Sequence, residues 1–186
     1  MTEFAIHTLE SAPDDSKDVL KKAKEEFGFI PNIHGAMAES PSVLKAYWSL
    51  GVEISRSSLG PLEQQVLLLA VSLANRCAYC TAAHSVAARL AGLPDEELKA
   101  LRAGTGMSDP RLEALRAFTD TVVEKRGRVS PAEIESFVSA GFTKAQVLEV
   151  MLGVVYKTLS NYTNHAIGAP LDHQFEKMKW EPPEGA

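Results

Sequence analysis

The chain has 186 residues, 45% hydrophobic and 23% charged, with a formal net charge of −5. That length supports one domain with a sizeable core, and the composition is that of a soluble globular protein. The acidic balance and the lack of a basic stripe argue against nucleic acid as a partner, because phosphate binding needs clustered Lys and Arg.

Met1–Glu10 has no apolar stretch of the signal-peptide kind, and no apolar run reaches transmembrane length. A cytoplasmic protein with no membrane partner is therefore expected. Residues 1–12 read as extended and irregular. Asp14–Phe27 has the pattern of a charged amphipathic helix, stopped by Gly28. A short helix over Asn32–Glu39 comes next. Ser40 as N-cap and Pro41 at the first helical position open a helix to about Arg56.

Gly60-Pro61 starts an apolar helix, Pro61–Ala74, with Leu62, Val66, Leu67, Leu69, Ala70 and Leu73 at helical spacing. Asn75 and Arg76 mark a break before a second apolar helix, Ala78–Ala91. Leu93-Pro94 leads to a shorter helix, Asp95–Ala103, and Asp109-Pro110 opens one that runs to about Lys125. Ser130 with Glu133, and Thr143 with Gln146, have the form of capping boxes. The helix after Thr143 is apolar on most of its circumference, so it is central or lies in a subunit interface. From Gly168 the tail, with Pro170, Pro182 and Pro183, reads as irregular. No strand-type alternation or hairpin signal appears, so the expected fold is an all-α bundle formed by a single domain over residues 1–186.

The two cysteines of the chain, Cys77 and Cys80, stand three residues apart at the start of the second apolar helix, with His84 four residues on. At about 100° per residue the three fall within an arc of roughly 60°. A disulfide between Cys77 and Cys80 would close a very short loop and add little stability. In a reducing compartment such a pair points to redox chemistry or metal binding. The helix N-terminus favours a thiolate at Cys77, whereas His84 favours one at Cys80, so spacing alone does not choose the nucleophile. A thiolate attacks the O–O bond of a hydroperoxide to give a sulfenic acid, the second thiol condenses with it, and an external dithiol reduces the bridge.

Asn75-x-Cys77-x-Tyr79-Cys80-x3-His84, preceded by an apolar helix, resembles the carboxymuconolactone decarboxylase / alkylhydroperoxidase D superfamily. The core of the match is about Leu59–Leu90, within a motif region of 59–91. Phe27–Ser42 and the segment Lys157–His165 extend it. The resemblance implies an alkylhydroperoxidase D-like helical bundle, a homo-oligomer and a dithiol peroxidase. It implies Cys80 as the peroxidatic cysteine, Cys77 as the resolving one and His84 as a proton relay. The partners it implies are a hydroperoxide and a lipoyl- or thioredoxin-type dithiol reductant, with no cofactor. The family's relay includes a glutamate twelve residues before the first cysteine. Here that position is Gln65, which can orient an imidazole but cannot take up a proton. Glu63 lies on the opposite face of the helix. The family's lactone decarboxylases lack the cysteine pair, and nothing in this chain specifies a lactone pocket.

Other readings attach to the same residues. Cys77 and Cys80 fit inert core thiols, or zinc ligands with His84, for which His165 is a fourth ligand in sequence terms only. The Gln65 departure fits a redox-sensing or partner-binding module with little turnover. Asn161, Asn164 and His165 read best as caps on the carbonyls at the end of the last helix, with a supporting role behind the site as the alternative. Tyr79 reads as packing, and His34 and His173 have no evident partner.

Overall fold

Proline opens four of the helices. Pro41, Pro61, Pro110 and Pro131 each stand at the first helical position, where the missing N–H has no intrahelical partner to lose. The computed structural model describes residues 4–182. Among them are nine α-helices, one 3₁₀ helix and no strand. Residues 1–3 of the N-terminal segment and Pro183 of the tail lie outside the described residues.

The helices are α1 (Asp14–Phe27), α2 (Asn32–Met37), α3 (Pro41–Ser55), α4 (Pro61–Ala74), α5 (Ala78–Leu90), α6 (Asp95–Ala103), α7 (Pro110–Glu124), α8 (Pro131–Ser139) and α9 (Lys144–Ile167). Gly28 ends α1 in the left-handed region. Asp109 accepts hydrogen bonds from the N–H groups of Arg111 and Leu112, and Ser130 and Thr143 form reciprocal caps with Glu133 and Gln146. Ser40 makes no cap bond: its hydroxyl lies 3.2 Å from Ser42 Oγ, and Pro41 alone sets the start of α3.

Helix α4 lies at the centre. Val66 through Ser72 are buried on every face, against α5, α7 and α9. Complete burial of each large aliphatic side chain there contributes about 1.5–3 kcal/mol. One apolar cluster joins α4 to α7, α8 and α9 and includes a stack of Phe118, Phe137 and Phe142, with centroids 4.3 and 4.2 Å apart. A second joins α1, α2 and α3 to the start of α5, and Cys77, Tyr79 and Cys80 are among its buried members. Helix α9 runs past both. It comes close to α4 at Gly153, where an added Cβ would lie 2.5 Å from Leu67 Cδ2. Leu148, Val155 and Tyr162 remain exposed along its outer side.

The tail is more ordered than expected. His173–Met178 form the 3₁₀ helix. Asp172 anchors it by accepting from the Asn32 backbone N–H at 3.1 and 3.2 Å and from the Tyr79 hydroxyl. Phe175 packs edge-on against Phe29 and Tyr79. These contacts join residues far apart in sequence, so the local pattern, read as irregular, carries no sign of them. No single helix among the described residues is long and apolar enough to cross a membrane.

Candidate active site

The dithiol is set by the way α4 ends. Arg76 takes a left-handed conformation, φ 56°, its N–H bonds to the Leu73 carbonyl at 2.8 Å, and the Cys77 N–H bonds to the Ser72 carbonyl at 2.9 Å. This is the pattern of a Schellman turn. The residue that closes it, Cys77, is also the N-cap of α5, which puts Cys80 in the first turn. Both thiols are free and buried.

One face of α9 meets them. Lys157, Ser160, Asn161 and Asn164 follow the i, i+3, i+4, i+7 spacing of a single helix face. Ser160 Oγ lies 3.8 Å from Cys80 Sγ, and Asn164 Nδ2 donates to Cys77 Sγ at 3.7 Å. Asn161 is fully buried, and its Oδ1 accepts from Asn75 Nδ2 at 3.0 Å. Its Nδ2 has no partner at ordinary hydrogen-bond distance, which leaves that N–H for the neighbouring sulfur. The expectation that Asn161 and Asn164 cap the helix end is therefore corrected. The helix continues to Ile167 and stops at Gly168, so both asparagines lie inside it and face the thiols. His165 is on the exposed side, stacked on Tyr162.

The two sulfurs are driven apart in acidity. A hydrogen bond from Cys77, then the Lys157 charge, Asn161 and Ser160, hold the Cys80 thiol below its ordinary value against the opposing effect of burial. The Cys77 thiol is pushed well up, first by donating to Cys80 and next by burial. The advantage that the helix end was expected to give Cys77 is overridden, since a proton shared between adjacent sulfurs stays on one of them. Nor does His84 supply a cation to Cys80. Burial first, then the Lys157 charge, hold its imidazole well below the ordinary value, so it is neutral.

Gln65 and His84 are brought together. His84 Nδ1 lies 3.0 Å from Gln65 Oε1. A carboxamide oxygen only accepts, so Nδ1 carries the proton and Nε2 is left as the acceptor nitrogen. Glu63 is turned away, as its helix position requires: it pairs with Arg111 Nε at 2.6 Å and accepts from the Gly60 N–H at 2.8 Å.

Cys80, His84 and Lys157 line one cavity of about 420 Å³. Its other walls are largely aromatic, formed by Phe27, Phe29, Tyr47, Tyr79, Tyr156 and Phe175. His34 is also in this wall, edge-on to Tyr47 and Trp48, with Nδ1 lacking any partner. Burial and the Lys157 charge lower its pKa to about 4. Sequence reasoning did not identify Lys157, Ser160 or His34 as site residues. The four-residue polar stripe in an otherwise apolar helix was the available signal for the first two. His173 is exposed on the 3₁₀ helix. Among the described residues, no group of three or more His, Cys, Asp and Glu side chains is placed to hold a metal ion.

The carboxymuconolactone decarboxylase family model matches residues 41–121, a segment that includes Gln65, Cys77, Cys80 and His84. Solved structures share the wider architecture. One is described as an alkylhydroperoxidase AhpD core, an uncharacterized peroxidase-related protein from Ralstonia eutropha JMP134. It is 22% identical, with 93% of each chain covered and a TM-score of 0.84. The chain thus resembles the carboxymuconolactone decarboxylase family over that segment and has the alkylhydroperoxidase D-like fold. An uncharacterized peroxidase-related protein from Silicibacter sp. TM1040 is 20% identical over 94% of this chain and 92% of its own, with a TM-score of 0.80. The debrominase Bmp8, in a cysteine-to-alanine variant bound to 2,3,4-tribromopyrrole, is 15% identical over 96% of both chains, with a TM-score of 0.79. At these identities the likeness is one of fold. No curated protein matches the sequence significantly. Lys157, Ser160, Asn161 and Asn164 lie beyond the segment matched by the family model.

Proposed function

We propose that this protein is a dithiol peroxidase that reduces organic hydroperoxides. The observation that carries the reading is the placement of two free thiols, Cys77 at the N-cap and Cys80 in the first turn of α5, with Cys80 on the wall of a cavity large enough for an organic molecule. Small-molecule sites are typically about 300–1,000 Å³, and hydrogen peroxide would fill little of this one.

In the proposed reaction the Cys80 thiolate attacks the terminal oxygen of the hydroperoxide. An S–O bond forms, the O–O bond breaks, and its electron pair leaves on the alkoxide. His84, held by Gln65 with Nδ1 protonated, accepts the hydroperoxide O–H at Nε2 and aims its terminal oxygen. The alkoxide takes its proton from solvent water, and the hydroxide left is neutralised by the proton that Cys80 released on ionising. The Cys77 thiol then displaces hydroxide from the sulfenic acid, and its own proton completes the departing water. The product disulfide is reduced by an external lipoyl- or thioredoxin-type dithiol, in keeping with a reducing cytoplasm. The exposed row of Leu148, Val155 and Tyr162 supports a homo-oligomer formed through α9.

Turnover assays with both donor types test the reading, with cumene hydroperoxide, hydrogen peroxide and 2,3,4-tribromopyrrole as acceptors. The expected outcome is faster consumption of the organic hydroperoxide than of hydrogen peroxide, and none by Cys80→Ser. Equal rates for wild type and Cys80→Ser would exclude the reading. The lack of a titrating carboxylate at Gln65 favours a second one, a redox-sensing or partner-binding module of low turnover. Stoichiometric oxidation without catalytic consumption, together with a dithiol-dependent change in oligomeric state, would select it.

A further inference from the structure

Lys157 carries an ammonium group into the interior without an acid to meet it. The residue is 2% exposed. No hydrogen bond or salt bridge to its Nζ occurs among the described residues; Nζ lies 5.4 Å from the centroid of the Tyr156 ring. An unpaired buried charge is strongly unfavourable, so a cation at this depth needs a counter-charge. The position is built in. Gly153, one turn earlier on the same face, lets α9 approach Leu67 of α4 and brings the lysine to the cavity wall that holds Cys80.

The groups around it leave one acid to serve. Helix α2 offers His34 and α5 offers His84, both neutral at physiological pH. Tyr47 of α3 and Tyr156 of α9 are held in the phenol form by burial. Tyr79 and Asp172 bond to each other, Glu26 of α1 is on the exposed rim, and α4 presents the uncharged Gln65. Helices α7 and α8 supply nothing to this wall. Of the two thiols, Cys77 donates to Cys80.

We propose that Lys157 is the counter-charge of the Cys80 thiolate, a positioning residue that keeps the sulfur ionised where the superfamily's glutamate position holds Gln65. Activation here comes from a fixed charge instead of a titrating carboxylate. The inference rests on the peroxidase reading only for the step after ionisation: as the O–O bond breaks, negative charge passes from sulfur to the alkoxide, and the same ammonium borders the cavity in which it appears.

The test is the rate of iodoacetamide alkylation of Cys80 in reduced protein against pH, read by peptide mass spectrometry so that Cys77 does not contribute. In wild type the rate should hold its plateau below neutral pH. In Lys157→Met the profile should move toward that of an ordinary thiol. At neutral pH the rate should fall at least about tenfold, the change in thiolate fraction for one unit, and return at alkaline pH. Lys157→Gln should behave alike and serves if the Met variant does not fold. A merely structural lysine would lower the melting temperature and leave the profile in place, and that result overturns the proposal. So does an ordinary thiol profile in wild type. The alkylation profile needs no peroxide. A Lys157-dependent shift with no peroxide consumption therefore upholds this inference and removes the peroxidase reading, and the reverse result removes this inference alone.

Discussion

His84 Nδ1 and Gln65 Oε1 lie 3.0 Å apart, so the imidazole faces an uncharged amide where a carboxylate would make it an imidazolium. In Gln65→Glu the opposite charge should raise the His84 pKa, because it favours the protonated ring against burial. An NMR titration of the His84 ring protons checks this, and an unmoved titration would show that the two side chains do not bond in solution. Gln65→Ala should leave the fold intact and slow oxidation of Cys80 by peroxide on the order of tenfold, less than the loss of a full acid–base catalyst.

His34 should make the protein acid-labile. Its pKa falls from 6.5 in the unfolded chain to about 4 in the fold, chiefly through burial. Between these values the unfolded chain binds the proton and the native one does not, so stability rises with pH across that window. The contribution is complete above 6.5 and is lost as pH falls toward 4. His84 is shifted in the same direction and adds to the effect. Urea midpoints should drop from pH 7 to pH 5 in wild type. They should drop less in His34→Phe, whose ring suits the aromatic contacts of Tyr47 and Trp48.

Much of this architecture was legible locally. Proline at the first helical position, and the pairs Ser130–Glu133 and Thr143–Gln146, announce helix starts within the few residues that form them. Gly28 and Gly168 mark ends by the same local logic, since each takes a left-handed conformation. The in-phase placement of Cys77, Cys80 and His84 likewise needs only helix geometry. Lys157 and His34 become site residues through tertiary packing, with α9 and α2 brought against α5, and no window of sequence contains that. Asn161 and Asn164 were misread because a polar cluster after an apolar run resembles a helix end, whereas α9 continues past them. The 3₁₀ helix at His173–Met178 depends on Tyr79 holding Asp172 from more than ninety residues away.

Gly153 tests whether the approach of α9 to α4 matters. Alanine there would place Cβ 2.5 Å from Leu67 Cδ2, a contact that one of the two helices must relieve. Overpacking of this kind costs about 1–3 kcal/mol. For a chain of this length that corresponds to a fall in melting temperature of roughly 2–12 °C. Thermal unfolding followed by circular dichroism measures it. Because Lys157 and Asn161 shift with the helix, the alkylation rate of Cys80 should change as well.

Tyr79→Phe removes the hydroxyl that donates to Asp172 and leaves a buried carboxylate with backbone N–H donors alone. The loss should be about 1–3 kcal/mol, as for a buried acceptor deprived of its partner. Hydrogen exchange should show the 3₁₀ helix, with Phe175 of the cavity wall, losing protection before the rest of the fold.

The central claim is that Cys80 and Cys77 act together as a two-electron reductant. Its most direct test is one equivalent of cumene hydroperoxide added to fully reduced protein, with free thiols counted and the bridged peptides mapped. The expected result is loss of both thiols of each chain, a Cys77–Cys80 disulfide and no loss in Cys80→Ser. Thiols that survive the oxidant, or oxidation of Cys77 with Cys80 left reduced, would contradict it.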